Sequence, residues 1–373
     1  MVLEALAPPV LVQSTSQLSK LVDELSRHSH IAVDTESNSL HAYREHVCLI
    51  QFSTLENDYI VDPLALEDLS PLEPIFSDPK IEKIFHAAEY DIICLRRDYG
   101  FTFANLFDTM QAGRILGRRQ AGLDRLIDEK FSIKVNKRFQ KADWGVRPLS
   151  RDLVLYARLD THFLIPLRNL LKADLEEKGL WPLAQEDFFM ACFPNGVSKP
   201  QSDEPYWARF SSRRDMTPQD LTVLKELVLL REHLAERLDR PPFKVMVDDK
   251  LIAIARAKPS TLDELAEIGL TTKQVDYWGK SVLEAVKRGM ENPPIKREPI
   301  HRPNETYLKR LDKLKVWRKK VADEMDVESD VVLPRSLLLA LAERGPTDLN
   351  LIMKNSPWRL ERFGSQILHV LGG

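Results

Sequence analysis

The 373-residue sequence predicts an α/β domain with a mixed β-sheet flanked by helices, followed by two small all-α domains. Three observations predict this. Short β-branched runs alternate with helical patterns over the first 180 residues. The first three strand-like runs follow one another too closely for crossover helices, and further along a leucine pattern recurs at a fixed offset.

Taken in order, Ile31 to Asp34, Val47 to Phe52, Tyr59 to Val61 and Lys83 to Phe85 read as strands, the first three forming an antiparallel meander. Helical patterns cover Tyr90 to Asp98, Met110 to Leu116, Leu123 to Phe131 and Arg151 to Lys178, and the polar, basic stretch Lys134 to Ser150 reads as a surface loop. From Phe188 to Met216 the composition turns to Pro, Gly, Ser and isolated aromatics, the texture of a linker. Beyond it, adding 87 to the residue number carries Leu221 to Leu308, Leu224 to Leu311, Leu227 to Leu314, Arg231 to Arg318, Ala235 to Ala322, Ala255 to Ala342, Pro259 to Pro346 and Leu262 to Leu349. A shift held over so many like residues marks a duplicated helical unit. Four prolines, Pro293, Pro294, Pro299 and Pro303, stiffen the connector between the copies. The expected boundaries are 1–187, a linker 188–212, helical domains 213–290 and 304–373, and a second linker 291–303.

With 43% hydrophobic and 29% charged residues the chain falls in the globular class. No apolar run approaches a membrane span, and the N-terminus lacks the basic-then-apolar order of a secretory signal, so a cytoplasmic protein without a membrane or disulfide-linked partner is expected. Cys48, Cys94 and Cys192 form neither a disulfide framework nor a zinc set, and read as buried reduced thiols. The 9 histidines show no metal-binding spacing, so any metal would sit on oxygen. Net charge is −3, yet Arg114 to Arg151 holds eleven Lys or Arg against four acids. That local excess suits a polyanion.

Asp34 and Glu36 stand two apart at the end of an apolar strand, so their side chains share a face. Two acids beside a core repel and lose hydration unless a cation or a proton compensates. Asp91 opens the helix after a strand, and Tyr156 and Asp160 stand four apart on one helical face. Four carboxylates without His or Cys suit two hard divalent ions, Mg²⁺ or Mn²⁺, of the kind that activate water for phosphodiester hydrolysis. Serine or cysteine nucleophile chemistry has no support in the sequence. Tyr156, with a phenol pKa near 10, would orient the attacking water and not deprotonate it.

Val33-Asp34-Thr35-Glu36, His86 followed by Asp91, and Tyr156-Ala-Arg-Leu-Asp160 resemble the three exonuclease motifs of the DEDD superfamily in its tyrosine branch. Within that branch the chain resembles ribonuclease D, through Cys48-Leu-Ile-Gln51, Gln140-Lys-Ala-Asp-Trp144 and Arg147-Pro-Leu149, and its duplicated units resemble HRDC domains. The resemblance implies a ribonuclease H-like fold. It also implies a 3′-to-5′ exoribonuclease that trims RNA with a free 3′ end, precursor tRNA in particular, to nucleoside 5′-monophosphates; the chain is separately expected to be a monomer. Asp34, Glu36 and Asp160 would bind one metal, Asp34 would bridge to the second, and Asp91 would support it. Ser37 stands where some members carry a bulky apolar residue, so the packing of the terminal nucleotide is expected to differ.

Along the strand's path, Lys137, Arg138, Lys141 and Arg147 are the expected phosphate contacts, with Gln51, His86 and Gln140 near the site and Trp144 as a stacking or loop-anchoring ring. A second basic cluster, Lys309 to Lys320, either contacts RNA or forms a solvated face. A DNA exonuclease remains an alternative, because the carboxylate chemistry is indifferent to the 2′-hydroxyl. An inactive nucleic-acid-binding adaptor would lack a catalytic acid, and none is missing. The helical domains are expected to add affinity, so that a fragment ending near Phe188 still cleaves unstructured RNA.

Overall fold

The computed structural model describes residues 7–135, 138–193, 206–211, 213–296 and 304–372. Six strands, β1 (Val10–Val12), β2 (His30–Ser37), β3 (Val47–Ser53), β4 (Asp58–Val61), β5 (Glu82–Phe85) and β6 (Leu106–Asp108), form one sheet in the order β1-β4-β3-β2-β5-β6. The antiparallel pairs β2/β3 and β3/β4 are the expected meander, whereas β1 runs parallel to β4, and β5 and β6 extend the sheet parallel to β2. The sheet is therefore mixed. Its two three-residue edge strands were not expected, because three residues carry no measurable alternation.

Helices α1 (Thr15–Leu25), α2 (Glu73–Ser77) and α3 (Glu89–Tyr99) are followed by α4 (Thr109–Ile115) and α5 (Leu123–Phe131). Two apolar clusters form the core. One joins Leu18, Leu21, Ile92 and Leu95 to Ile31, Val33 and Phe52; the other joins Ile115, Leu126, Leu167 and Leu171 to Ala32, Ile84 and Phe107. Ala32 and Val33, adjacent in β2, thus enter different clusters, as strand alternation requires.

The single helix expected over Arg151 to Lys178 is three: α6 (Arg151–Ala157), α7 (Leu159–His162) and α8 (Leu164–Glu177). Pro166, in the first turn of α8, explains the second break, since its ring crowds the carbonyl four residues back, that of His162. The linker expected from Phe188 begins later. Helix α9 (Trp181–Ala191) crosses that point, and Phe188 is buried against Phe107 with ring centroids 4.6 Å apart.

The described residues fall into two compact units, one drawn from 1–37, 47–197 and 302–373, the other from 38–46 and 198–301. In the second unit, α10 (Pro218–Arg237), α11 (Pro242–Val245), α12 (Asp248–Ala257), α13 (Leu262–Glu267) and α14 (Thr272–Glu291) surround a core of Leu224, Leu227, Ile254 and Val282. Phe210, inside the expected linker, belongs to that core. In the first unit, α15 (Glu305–Met325), α16 (Ser329–Val332), α17 (Arg335–Arg344), α18 (Leu349–Ile352) and α19 (Pro357–Gly372) form the second copy. The offset survives at atomic detail. Arg231 donates to the Met246 carbonyl at 3.1 Å, and Arg318 donates to Leu333, each 87 positions later, at 2.9 Å.

The second copy shares a core with the sheet domain. Val331 lies in the Phe107 cluster, and the fully buried Arg359 bonds the Glu186 carboxylate at 3.1 Å, Asp187 at 3.0 Å and the carbonyls of Val331 and Val332. Glu186 also accepts the Trp358 N–H at the start of α19. Removal of this copy would strip Glu186 and Asp187 of their cation and expose the apolar seam, which argues against an intact fragment ending near Phe188. Among the described residues no helix is long and apolar enough to cross a membrane.

Candidate active site

Strand β2 continues through Glu36 and bulges between Glu36 and Ser37, holding Asp34 and Glu36 on one face as alternation requires. Asp160, on α7, meets them. Carboxylate oxygens of Asp34, Glu36 and Asp160 lie within 4.8 Å of one another. They line a cavity of about 330 Å³ together with Tyr156, His86, Asp124 and Gln140.

Asp91 stands in the first turn of α3, where its carboxylate accepts a hydrogen bond from the Thr35 hydroxyl. Its position is set by Asp108. That buried acid accepts the N–H groups of Ala87 (3.1 Å) and Ala88 (2.9 Å) before α3, and those of Met110 (2.8 Å) and Gln111 (3.1 Å) at the start of α4. Ala87 is held in the left-handed region, at φ 64°. One carboxylate therefore fixes the turn that delivers Asp91. Sequence reasoning missed Asp108, although an Asp followed by Thr ahead of a helical pattern is a capping signal. It also missed Asp124, in the first turn of α5.

Burial, then mutual repulsion, makes these acids hard to ionise. The Asp34 carboxyl is raised well above the usual range by burial, then by Asp91, Asp160 and Glu36. Glu36 is pushed up to about 9 by burial, then by Asp160 and Asp91. Burial lifts Asp91 and Asp160 to about 7 each. Converging oxygens that repel one another, with no protein cation among the causes of their shifts, are a donor set matched to hard divalent ions.

The Tyr156 phenol does not keep its ordinary value; burial and then Asp160, Glu36 and Asp34 raise it. It stays protonated, available to hold a hydrogen bond and not to act as a base. Phe139 meets its ring edge-on at 5.7 Å and Trp144 lies 6.1 Å away.

Of the expected nucleic-acid contacts, His86 and Gln140 line the cavity, and Arg138 and Lys141 are exposed on the same loop. Lys137 lies outside the described residues. Two expectations need correction, for Gln51 and Arg147, and of the two roles given for Trp144 its burial favours the loop anchor. Gln51 is fully buried opposite Asp34 in the β2/β3 register, and neither its amide oxygen nor its nitrogen has a partner among the described residues. Trp144 is 1% exposed and anchors the loop. Arg147 is spent internally, on Asp62 at 2.7 Å and on the carbonyls of Cys48 and Trp144. Much of the basic excess is likewise consumed: Arg114 binds Glu328 and Asp330, and Arg118 binds Glu129 and Asp174. On α15, Lys309 pairs with Glu305 and Lys320 with Glu324, one turn away in each case.

The sheet domain and the helical repeats each match a known family. Residues 9–176 match the 3′-5′ exonuclease family, and residues 220–286 and 308–371 each match the HRDC domain. The chain is 30% identical to ribonuclease D of Gluconacetobacter diazotrophicus over 98% of its own length and 93% of that protein. It belongs to the ribonuclease D family. It is also 32% identical to the exosome complex exonuclease RRP6 of Saccharomyces cerevisiae over 76% of this chain, and spans 41% of that longer protein. The structure of Escherichia coli RNase D shares the fold, with a TM-score of 0.69 over 98% of this chain and 99% of that one at 24% identity.

Proposed function

We propose that the chain is a two-metal 3′-to-5′ exoribonuclease of the cytoplasm that releases nucleoside 5′-monophosphates, acting in the 3′ maturation of precursor tRNA and other small stable RNAs. The observation that carries this is the convergence of Asp34, Glu36 and Asp160 to within 4.8 Å, in a cavity that also contains Tyr156. Bound there, two divalent ions would supply the positive charge that acidifies water and stabilises charge developing on the phosphate. Asp34, Glu36 and Asp160 would hold them, with Asp91 behind, oriented by Thr35. The protonated Tyr156 hydroxyl positions the attacking water, its ring held by Phe139 and Trp144. The names of the ribonuclease D relatives, one of them an exoribonuclease involved in structured RNA processing, favour RNA as the substrate.

The test uses RNA labelled at either end, with Mg²⁺ or Mn²⁺ restored after chelation. The 3′ label should leave at once as a mononucleotide, while the 5′-labelled strand shortens stepwise. Asp34→Asn and Asp160→Asn should abolish hydrolysis and retain RNA binding in EDTA. Internal fragments, or full turnover without divalent ions, would overturn the proposal.

A further inference from the structure

Gln51 lies on the sheet face that carries the acids. Leu49, Gln51 and Ser53 alternate onto one face of β3, and the register sets Leu49 beside Glu36 and Gln51 beside Asp34. On the other side Gln51 is paired with Ile60 of β4. Helices α6 and α7 cover this part of the strand. Leu49 and Ile60 pack with Tyr156 and Ala157, and the Ser53 hydroxyl stands 2.7 Å from that of Thr161, the residue after Asp160. Gln51 between them is fully buried.

Neither Oε1 nor Nε2 of its amide has a partner among the described residues. Burying an amide unpaired destabilises a fold, and a leucine or methionine would fill the same space without that cost. Buried amides are as a rule hydrogen-bonded, so one left over beside a site acid calls for a partner that forms when the site is in use.

The register says which partner. Side chains in direct cross-strand opposition stand about 5 Å apart at Cβ, within reach of a glutamine amide. Glu36 faces Leu49, which has nothing to donate. Asp91 already has a donor in the Thr35 hydroxyl. The pairs between β2 and β5 end at Ala32, so the ladder partner of Asp34 is Gln51. A carboxylate that gives one lone pair to a metal ion keeps others, and an amide N–H is a matching donor for them.

We infer that Gln51 is a positioning residue, whose amide N–H donates to the Asp34 carboxylate in the metal-loaded site and fixes the oxygen that Asp34 presents to the ion. The inference rests on the metal reading of the acid cluster and deepens it. Gln51 touches neither the ion nor the RNA and acts through Asp34. In the metal-free chain the same amide only burdens the fold. Its removal therefore has opposite signs, favourable for stability and unfavourable for metal binding.

The experiment compares the full chain with Gln51→Met, a swap that conserves volume and deletes the amide, and with Gln51→Asn, whose amide is one methylene short of Asp34. Mn²⁺ is titrated without RNA at pH 8, and the free ion is read by its paramagnetic resonance. The dissociation constant of Gln51→Met should be 10- to 100-fold weaker than the parent's, on the order found for partners of metal-bound carboxylates. Its melting temperature in EDTA should rise by roughly 2–4 °C. Gln51→Asn should also bind Mn²⁺ more weakly, with no gain in melting temperature. Unchanged Mn²⁺ affinity in Gln51→Met overturns the inference. So does a Gln51→Met chain that melts lower or fails to fold, the result expected of an amide that serves the fold through a fixed water. A parent that binds no Mn²⁺ removes the metal reading itself, whereas a parent that binds it no better than Gln51→Met removes only the role given to Gln51.

Discussion

Replacing Asp160 with Asn should make the metal-free protein more stable at alkaline pH while abolishing turnover. The Asp160 carboxyl titrates at about 7 in the folded chain, against 3.8 ordinarily. Between those values the folded protein holds a proton that the unfolded chain has released, so stability is highest below the lower value and falls as pH climbs to the upper one. Each pH unit in that window costs about 1.4 kcal/mol, or about 4 kcal/mol across it for this one carboxyl. Asn carries no charge at any pH and also relieves the repulsion on Glu36, where Asp160 is the largest cause after burial. Thermal unfolding in EDTA at pH 5 and pH 8 measures the effect. The variant should gain on the order of 8 °C over the parent at pH 8 and much less at pH 5. Adding millimolar Mg²⁺ should then raise the parent more than the variant at pH 8, because binding stabilises the folded state and requires ionised ligands. A variant no more stable than the parent at pH 8, or a gap that widens toward pH 5, would refute the reasoning.

Tyr156→Phe keeps the ring between Phe139 and Trp144 and loses the hydroxyl; single-turnover rates should fall about 100-fold with little change in melting temperature. Arg147→Ala breaks the pair with the buried Asp62, so urea unfolding should show a loss of about 3 kcal/mol, while the salt dependence of RNA binding keeps its slope. Glu186→Ala leaves the buried Arg359 with one carboxylate fewer. It should cost about 3 kcal/mol or more, and limited proteolysis should then cut ahead of α15.

The acids were legible because they stand at strand and helix ends where a solvated role explains them poorly in combination. Asp34, Glu36 and Asp160 do meet, and β2 and the meander lie where alternation places them. The duplication was legible to the level of one hydrogen bond, Arg231 and Arg318 each reaching the equivalent carbonyl. What failed was what depends on partners distant in sequence. Nothing local distinguishes Arg147, spent on Asp62, from Arg138, exposed on the same loop. The break before α8 has a local signal in Pro166. The first and last strands were not readable, since each is ordered by the neighbour it pairs with.

The two charge features of the sequence therefore differ in kind. Part of the basic excess between Arg114 and Arg151 is structural: Arg114 ties α4 to the cap of α16, and Arg118 and Lys130 both reach Asp174 on α8. Such pairs lower the energy of the fold and draw those particular cations away from a polyanion. The acids do the opposite. Four carboxyls are pushed upward by burial, and Asp34, Glu36 and Asp160 also by other acids of the cluster, which destabilises the fold in the absence of cations and leaves it poised to bind them. A cluster that costs stability is retained only where something else depends on it. For that reason the acids, and not the lysines and arginines, are the feature from which a function can be argued.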